Sequence, residues 1–121
     1  MKYILITLFL ITGNLYAQKK LPDSLNTPIK RTKILTKQMY KRLNLNKVQL
    51  KKVDSLNYVY AVIMEKDVIR KGTSNWSKYW KTQSIMNEKE FFLRRILTSK
   101  QLKEYRKMRS EVMNRILRNN F

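Results

Sequence analysis

The chain contains no histidine and no cysteine, and only two glycines and two prolines in 121 residues. Without Cys there can be no disulfide, no thiol nucleophile, no thiol-attached haem and no lipid-modified leader, so the fold must hold by packing alone. Without His the Ser-His-Asp triad is excluded, and the common zinc sites fall away with it. Gly72 is the only glycine beyond the first seventeen residues, which rules out a glycine-rich phosphate loop. Acids are also scarce, 8 Asp and Glu against 27 Lys and Arg. Glu88 and Glu90 stand two apart, so on a helix they point to different faces and cannot act as a catalytic carboxylate pair. Calcium-loop spacing is missing as well. The chemistry-bearing residues of an enzyme, a cofactor site or a metal site are therefore not found, and the sequence is not that of an enzyme.

What is present begins with a leader. Lys2 precedes the apolar run Tyr3 to Ile11, and Asn14-Leu15-Tyr16-Ala17 follows. A short positive region, an apolar core and a small residue predict a secretory signal peptide over residues 1–17, cut after Ala17. The run is too short to span a bilayer, which takes ~20 residues; an uncleaved anchor is the alternative. The chain is thus expected in the periplasm, and the charge must be read in that compartment. The formal net charge is +19. Inside a cell such basicity would suggest nucleic acid. Outside the inner membrane the anionic partners are lipid head groups, lipopolysaccharide and acidic unfolded proteins, and in vitro nucleic-acid binding at low salt would carry no specific meaning.

Residues 18–28 hold both prolines and no apolar period, and read as a flexible arm. From Ile29 to Phe121 there is no Pro, a strong argument for a single all-α domain. Four amphipathic helices are predicted, near 29–43, 46–70, 75–96 and 98–117. Ile34, Leu35, Met39 and Leu43 form the first apolar stripe; Val53, Leu56, Tyr60 and Ile63 form the second, widened by Val59, Val62 and Met64. A second helix of this length should face another subunit along part of its surface. In the third helix Trp76, Tyr79 and Trp80 read either as core or, with Lys78 and Lys81 between them, as a surface for apolar and acidic stretches. Leu102, Tyr105, Met108, Val112, Met113, Ile116 and Leu117 hold the buried side of the fourth. Asp67 with Lys71, Glu90 with Arg94, and Glu111 with Arg115 have the spacing of helix-surface ion pairs.

Two helix starts are near-copies, fifty-two positions apart: Leu45-Asn46-Lys47-Val48-Gln49 and Leu97-Thr98-Ser99-Lys100-Gln101. Asn46 and Thr98 fall at N-caps, Gln49 and Gln101 at the third helical position, which makes two capping boxes. Leu45 with Leu50, and Leu97 with Leu102, have the spacing of hydrophobic staples. These residues read as architectural.

Leu-Thr-x-x-Gln once per half of a small, His-poor, secreted helical chain resembles the Spy/CpxP family of periplasmic proteins. The second copy matches at all three defined positions and the first carries Asn46 in place of Thr; the resemblance covers roughly residues 30–120. It implies a thin four-helix protomer forming an antiparallel, cradle-like homodimer, and a role as an ATP-independent holdase for unfolding envelope proteins. The family's metal-binding members use His, and nothing here supports carrying that over. Long cationic side chains would attract acidic clients, and apolar, Met-rich patches would hold what they expose. Arg42, Lys51, Lys52, Trp76, Trp80 and Lys81 are the expected client-binding residues. An envelope-stress modulator that binds the periplasmic domain of a membrane sensor is the alternative. A further one is a cationic helical protein that coats anionic membrane or lipopolysaccharide and needs lipid to become helical; the caps and staples argue against that dependence.

Overall fold

A computed structural model describes residues 27–119. The expected leader, the arm as far as Asn26, the last two residues and the side chains of Ile116 and Asn119 lie outside the described residues. All the regular structure described is helical: α1 (Pro28–Leu43), α2 (Lys47–Met64) continued by a π-helical turn (Glu65–Ile69), α3 (Asn75–Leu93) and α4 (Ser99–Asn119).

Each start has a local cause. Thr27 caps α1, its Oγ1 accepting from the Lys30 N–H at 3.2 Å, and Pro28 takes the first helical position, where a missing N–H costs nothing. The helix therefore begins one residue inside the stretch expected to be an arm. Asn44 ends α1 in the left-handed region (φ 56°, ψ 53°), which Asn tolerates better than most side chains. Both predicted capping boxes form. The Gln49 N–H donates to Asn46 Oδ1 at 2.8 Å and the Asn46 N–H to Gln49 Oε1 at 3.1 Å. The Thr98–Gln101 pair repeats this at 3.2 and 2.9 Å. Ser74 caps α3 through the Ser77 N–H, and Gly72 turns the preceding loop at φ 66°.

Two ends differ from expectation. The second helix does not run unbroken to Arg70: its last turn widens so that the Arg70 N–H reaches the Glu65 carbonyl at 3.0 Å. The third helix stops at Leu93, not Ile96; residues 94–96 close in tighter turns, with the Ile96 and Leu97 N–H groups both reaching the Leu93 carbonyl. Arg94-Arg95-Ile96 carries no Gly or Pro to signal this. The helix stops because Thr98 must leave helical geometry to cap the next one.

The helices pair as two hairpins, α1–α2 and α3–α4. Where their turns meet, Met39, Leu43, Leu45, Val53, Leu93, Leu97, Tyr105 and Met108 form one core. Both staple leucines are in it, with Leu50 and Leu102 packed against its edge. Tyr60, Val68 and Ile85 make a second, smaller cluster between α2 and α3. The α1 stripe is shifted from expectation. Thr32 and Thr36 are buried while Ile34 and Leu35 are only half-buried, because Thr36 Oγ1 accepts from the buried Asn57 amide at 2.9 Å. Leu117, expected inside, is exposed in the last turn of α4.

Candidate functional site

The two capping glutamines do more than cap. Gln49 Nε2 donates to Gln101 Oε1 at 2.7 Å, and Gln101 Nε2 donates back to Gln49 Oε1 at 3.1 Å. The second proton of each amide goes to the opposite hairpin: Gln49 to the Ile96 carbonyl in the turn after α3 at 3.0 Å, Gln101 to the Leu43 carbonyl at the end of α1 at 3.1 Å. Counting the caps, every donor and acceptor position of both carboxamides is used. The motif residues thus form a clasp that locks one hairpin turn against the other, with no capacity left for a ligand.

The glutamates are tied up in the same way. Of the eight acids, seven lie among the described residues, with 24 of the 27 bases (all but Lys2, Lys19 and Lys20). Glu65 bridges Arg31 and Arg70. Burial pushes its carboxyl up, but the hydrogen bonds and charges of Arg70 and Arg31 outweigh that and hold it below the usual carboxylate range. Glu90, buried, takes Arg106 at 2.9 Å and Arg109 at 3.2 Å from α4, and is depressed against its burial by the same balance. The predicted pairing of Glu90 with Arg94 is not made, because Glu90 faces α4 and Arg94 faces solvent. Glu104 and Glu111 both hold Arg42, at 2.7 and 2.8 Å. Glu88 accepts from the Tyr60 hydroxyl at 2.8 Å; burial and then that neighbour push the phenol up to about 12. Lys89 is a residue that sequence reasoning passed over. It is 6 % exposed, and burial alone pulls its ammonium down to about 7. The signal was available: Lys89 falls seven positions after Thr82 and four after Ile85, on the buried face of α3.

The six expected client-binding residues do not form one patch. Arg42 cross-links α1 to α4 through its two carboxylates. Lys51 and Lys52 are exposed near the start of α2, beside the clasp. Trp76, Trp80 and Lys81 are exposed at the start of α3, at the far end of α2. From Lys52 to Ile69 the helix runs about 26 Å at 1.5 Å per residue. The tryptophans are not core: they are 66 and 51 % exposed, and stack on each other edge-to-face at 5.5 Å between centroids.

Two uncovered ridges follow. On α2, Val48, Lys52, Ser55, Val59, Val62 and Lys66 recur at steps of three and four, with Lys51 and Tyr58 alongside. On α3, Trp76, Trp80, Ser84, Asn87 and Phe91 do the same; all five are exposed, with Asn87 at the edge where its Oδ1 accepts from Arg109 of α4. Among the described residues no helix is long and apolar enough to cross a membrane.

A family model, described as a domain of unknown function (DUF4890), matches residues 16–117. The chain belongs to the DUF4890 family. The match of this DUF4890 chain covers the first three helices and all but the last two residues of α4, so clasp, ion pairs and both ridges fall within the family's domain. No curated protein and no solved structure matches it.

Proposed function

We propose that the protein is an ATP-independent periplasmic holdase that binds unfolded, acidic envelope proteins along the outer ridge of α2. One observation carries this reading: Val48, Val59 and Tyr58 are 63, 50 and 46 % exposed and stand among the exposed Lys51, Lys52 and Lys66. Aliphatic side chains are normally withdrawn from such a surface, and lysines at turn spacing supply the long-range attraction that speeds encounter with an acidic chain. The client then desolvates the valines, and its own folding removes the apolar segments and ends the complex. The resemblance to Spy/CpxP proteins supports the same role, and with it an antiparallel, cradle-like homodimer, whose mass sedimentation equilibrium tests. Arg42 belongs to the scaffold in this reading, since two carboxylates already hold it.

The test is light scattering from a denatured acidic protein diluted into buffer at ~0.15 M salt, where loose attraction is screened beyond about 8 Å. The mature chain suppresses aggregation near equimolar ratio without ATP, and Val48→Ser with Val59→Ser loses most of that effect. No suppression by a chain of full helicity rejects the proposal.

A further inference from the structure

The ridge on α3 differs in kind from that on α2. Its apolar members are aromatic, not aliphatic, and Trp76, Trp80 and Phe91 are each at least half exposed. Tyr79 braces the first two, at 5.1 Å edge-to-face from Trp80 and stacked 6.2 Å from Trp76. From Trp76 to Phe91 the ridge runs about 22 Å along one straight helix. Cations stand at its side and foot: Lys81, Arg94 and Arg95 are exposed, and the Arg95 guanidinium lies 5.3 Å from the Phe91 ring centroid. The acids of α3 offset them only in part: Glu90 is held by Arg106 and Arg109, and Glu88, exposed and accepting the Tyr60 hydroxyl, sets one negative charge against these three cations.

We infer that the outer face of α3 is a docking surface for an anionic phospholipid bilayer. Indole rings favour the headgroup level of a membrane, where an apolar body and a polar N–H edge are both accommodated, and a phenyl ring beside them enters the apolar side of that boundary. Basic residues beside them add attraction to anionic lipid that grows with each Lys or Arg near the surface. A rigid, outward-facing line of rings suits a broad deformable surface, which can receive all three anchors at once. The same face of a second copy fits poorly here: a self-complementary contact would set Lys81, Arg94 and Arg95 against their own counterparts. An extended acidic polypeptide could answer the charge, but as a single strand it would cover one side of each ring and leave the rest in water. The helix is already formed and packed on its other face, so this docking requires no lipid-induced folding, and it stands independently of the holdase reading. It would hold the protein at the membrane surface with the α2 ridge on a different helix and free.

The chain carries two tryptophans, both in the ridge, so intrinsic fluorescence reports on this surface alone. The experiment mixes the full mature chain at ~0.15 M salt with large unilamellar vesicles of phosphatidylcholine, or of phosphatidylcholine with one quarter phosphatidylglycerol, and follows emission and co-flotation. The expected result is a shift to shorter wavelength and flotation with the anionic vesicles only. Trp76→Ser with Phe91→Ser retains full helicity and binds at least about tenfold more weakly, as loss of two membrane-buried rings requires. Arg94→Glu with Arg95→Glu loses the preference for anionic lipid, while Lys51→Glu with Lys52→Glu, on the other ridge, keeps most of the binding. The inference is overturned by equal binding to neutral vesicles, by no flotation, by undiminished flotation of the ring variant, or by an emission shift with a denatured acidic protein but none with vesicles.

Discussion

Lys89 and Glu90 are neighbours in sequence with opposite fates. Glu90 turns to α4 and finds two guanidinium groups; Lys89 turns inward, and burial is the only influence that moves its pKa. The unfolded chain keeps the Lys89 proton up to the ordinary lysine range near ~10.4, the folded chain only to about 7. Between those values the unfolded state binds more protons, so stability rises as pH rises from 7 toward 10. Lys89→Met removes this slope and, at pH 6, raises stability by at most about 5 kcal/mol, the span from ~10.4 to about 7 at about 1.4 kcal/mol per pH unit. Urea titrations at pH 6 and 9 check it; a wild-type midpoint that does not move with pH refutes it. For Glu90 the sign is reversed, since its folded pKa is depressed: the stability it contributes is present at neutral pH and lost as pH falls below the usual carboxylate range. Glu90→Gln removes the charge partner of Arg109, which keeps Gln83 and Asn87, and of the half-exposed Arg106, and costs about 2 kcal/mol. Glu111→Gln, at a half-exposed pair, costs under about 1 kcal/mol. Similar losses for the two would mean that burial does not set the value of these pairs.

The elements are connected by the glutamine clasp. Each carboxamide caps its own helix, bonds its twin and holds a carbonyl of the other hairpin, so removing one leaves the other short of both a donor and an acceptor. Gln49→Ala and Gln101→Ala are each expected to cost about 2–3 kcal/mol at ~1 kcal/mol per hydrogen bond. The double variant falls short of their sum by about 1–2 kcal/mol, because the twin bonds are lost only once. Additive losses in denaturant unfolding would show that the amides act only as caps. At this scale much was legible in the sequence. Caps, staples and the apolar period lie within a few residues of one another, and they set four helices within a few residues of their true bounds. What could not be read was that Gln49 and Gln101 meet. Their equal place in two hairpins hinted at it, but a contact across fifty-two residues depends on how the hairpins dock.

For the whole molecule, the arrangement pairs most of the glutamates with arginines and leaves an excess of positive charge on the surface. Glu65, Glu90, Glu104 and Glu111 are all in ion pairs, and four of their arginine partners come from a different helix. The proposed client binding is therefore salt-sensitive in its rate more than its strength. Raising salt from ~0.05 to ~0.5 M slows client association by tenfold or more, as screening of steering charges does, while dissociation, governed by buried valine and tyrosine surface, changes little. Stopped-flow measurement of both rates checks this; a salt effect confined to dissociation would place the charges inside the contact instead.

The all-α class, the four helices and both capping boxes follow from the sequence alone, because each rests on hydrogen bonds and side-chain spacing within one or two turns. The charge balance follows from it too. The tertiary structure decided which apolar residues stay outside. Trp76, Trp80 and Phe91 have core chemistry, and only the direction in which α3 packs, with Ile85, Lys89 and Leu93 inward, turns those rings to solvent. It likewise decided that Arg42 is a cross-link, that Lys89 is buried, and that the two motif glutamines close on each other. Local signals determine an element; its faces acquire their roles only when a neighbouring helix covers one of them.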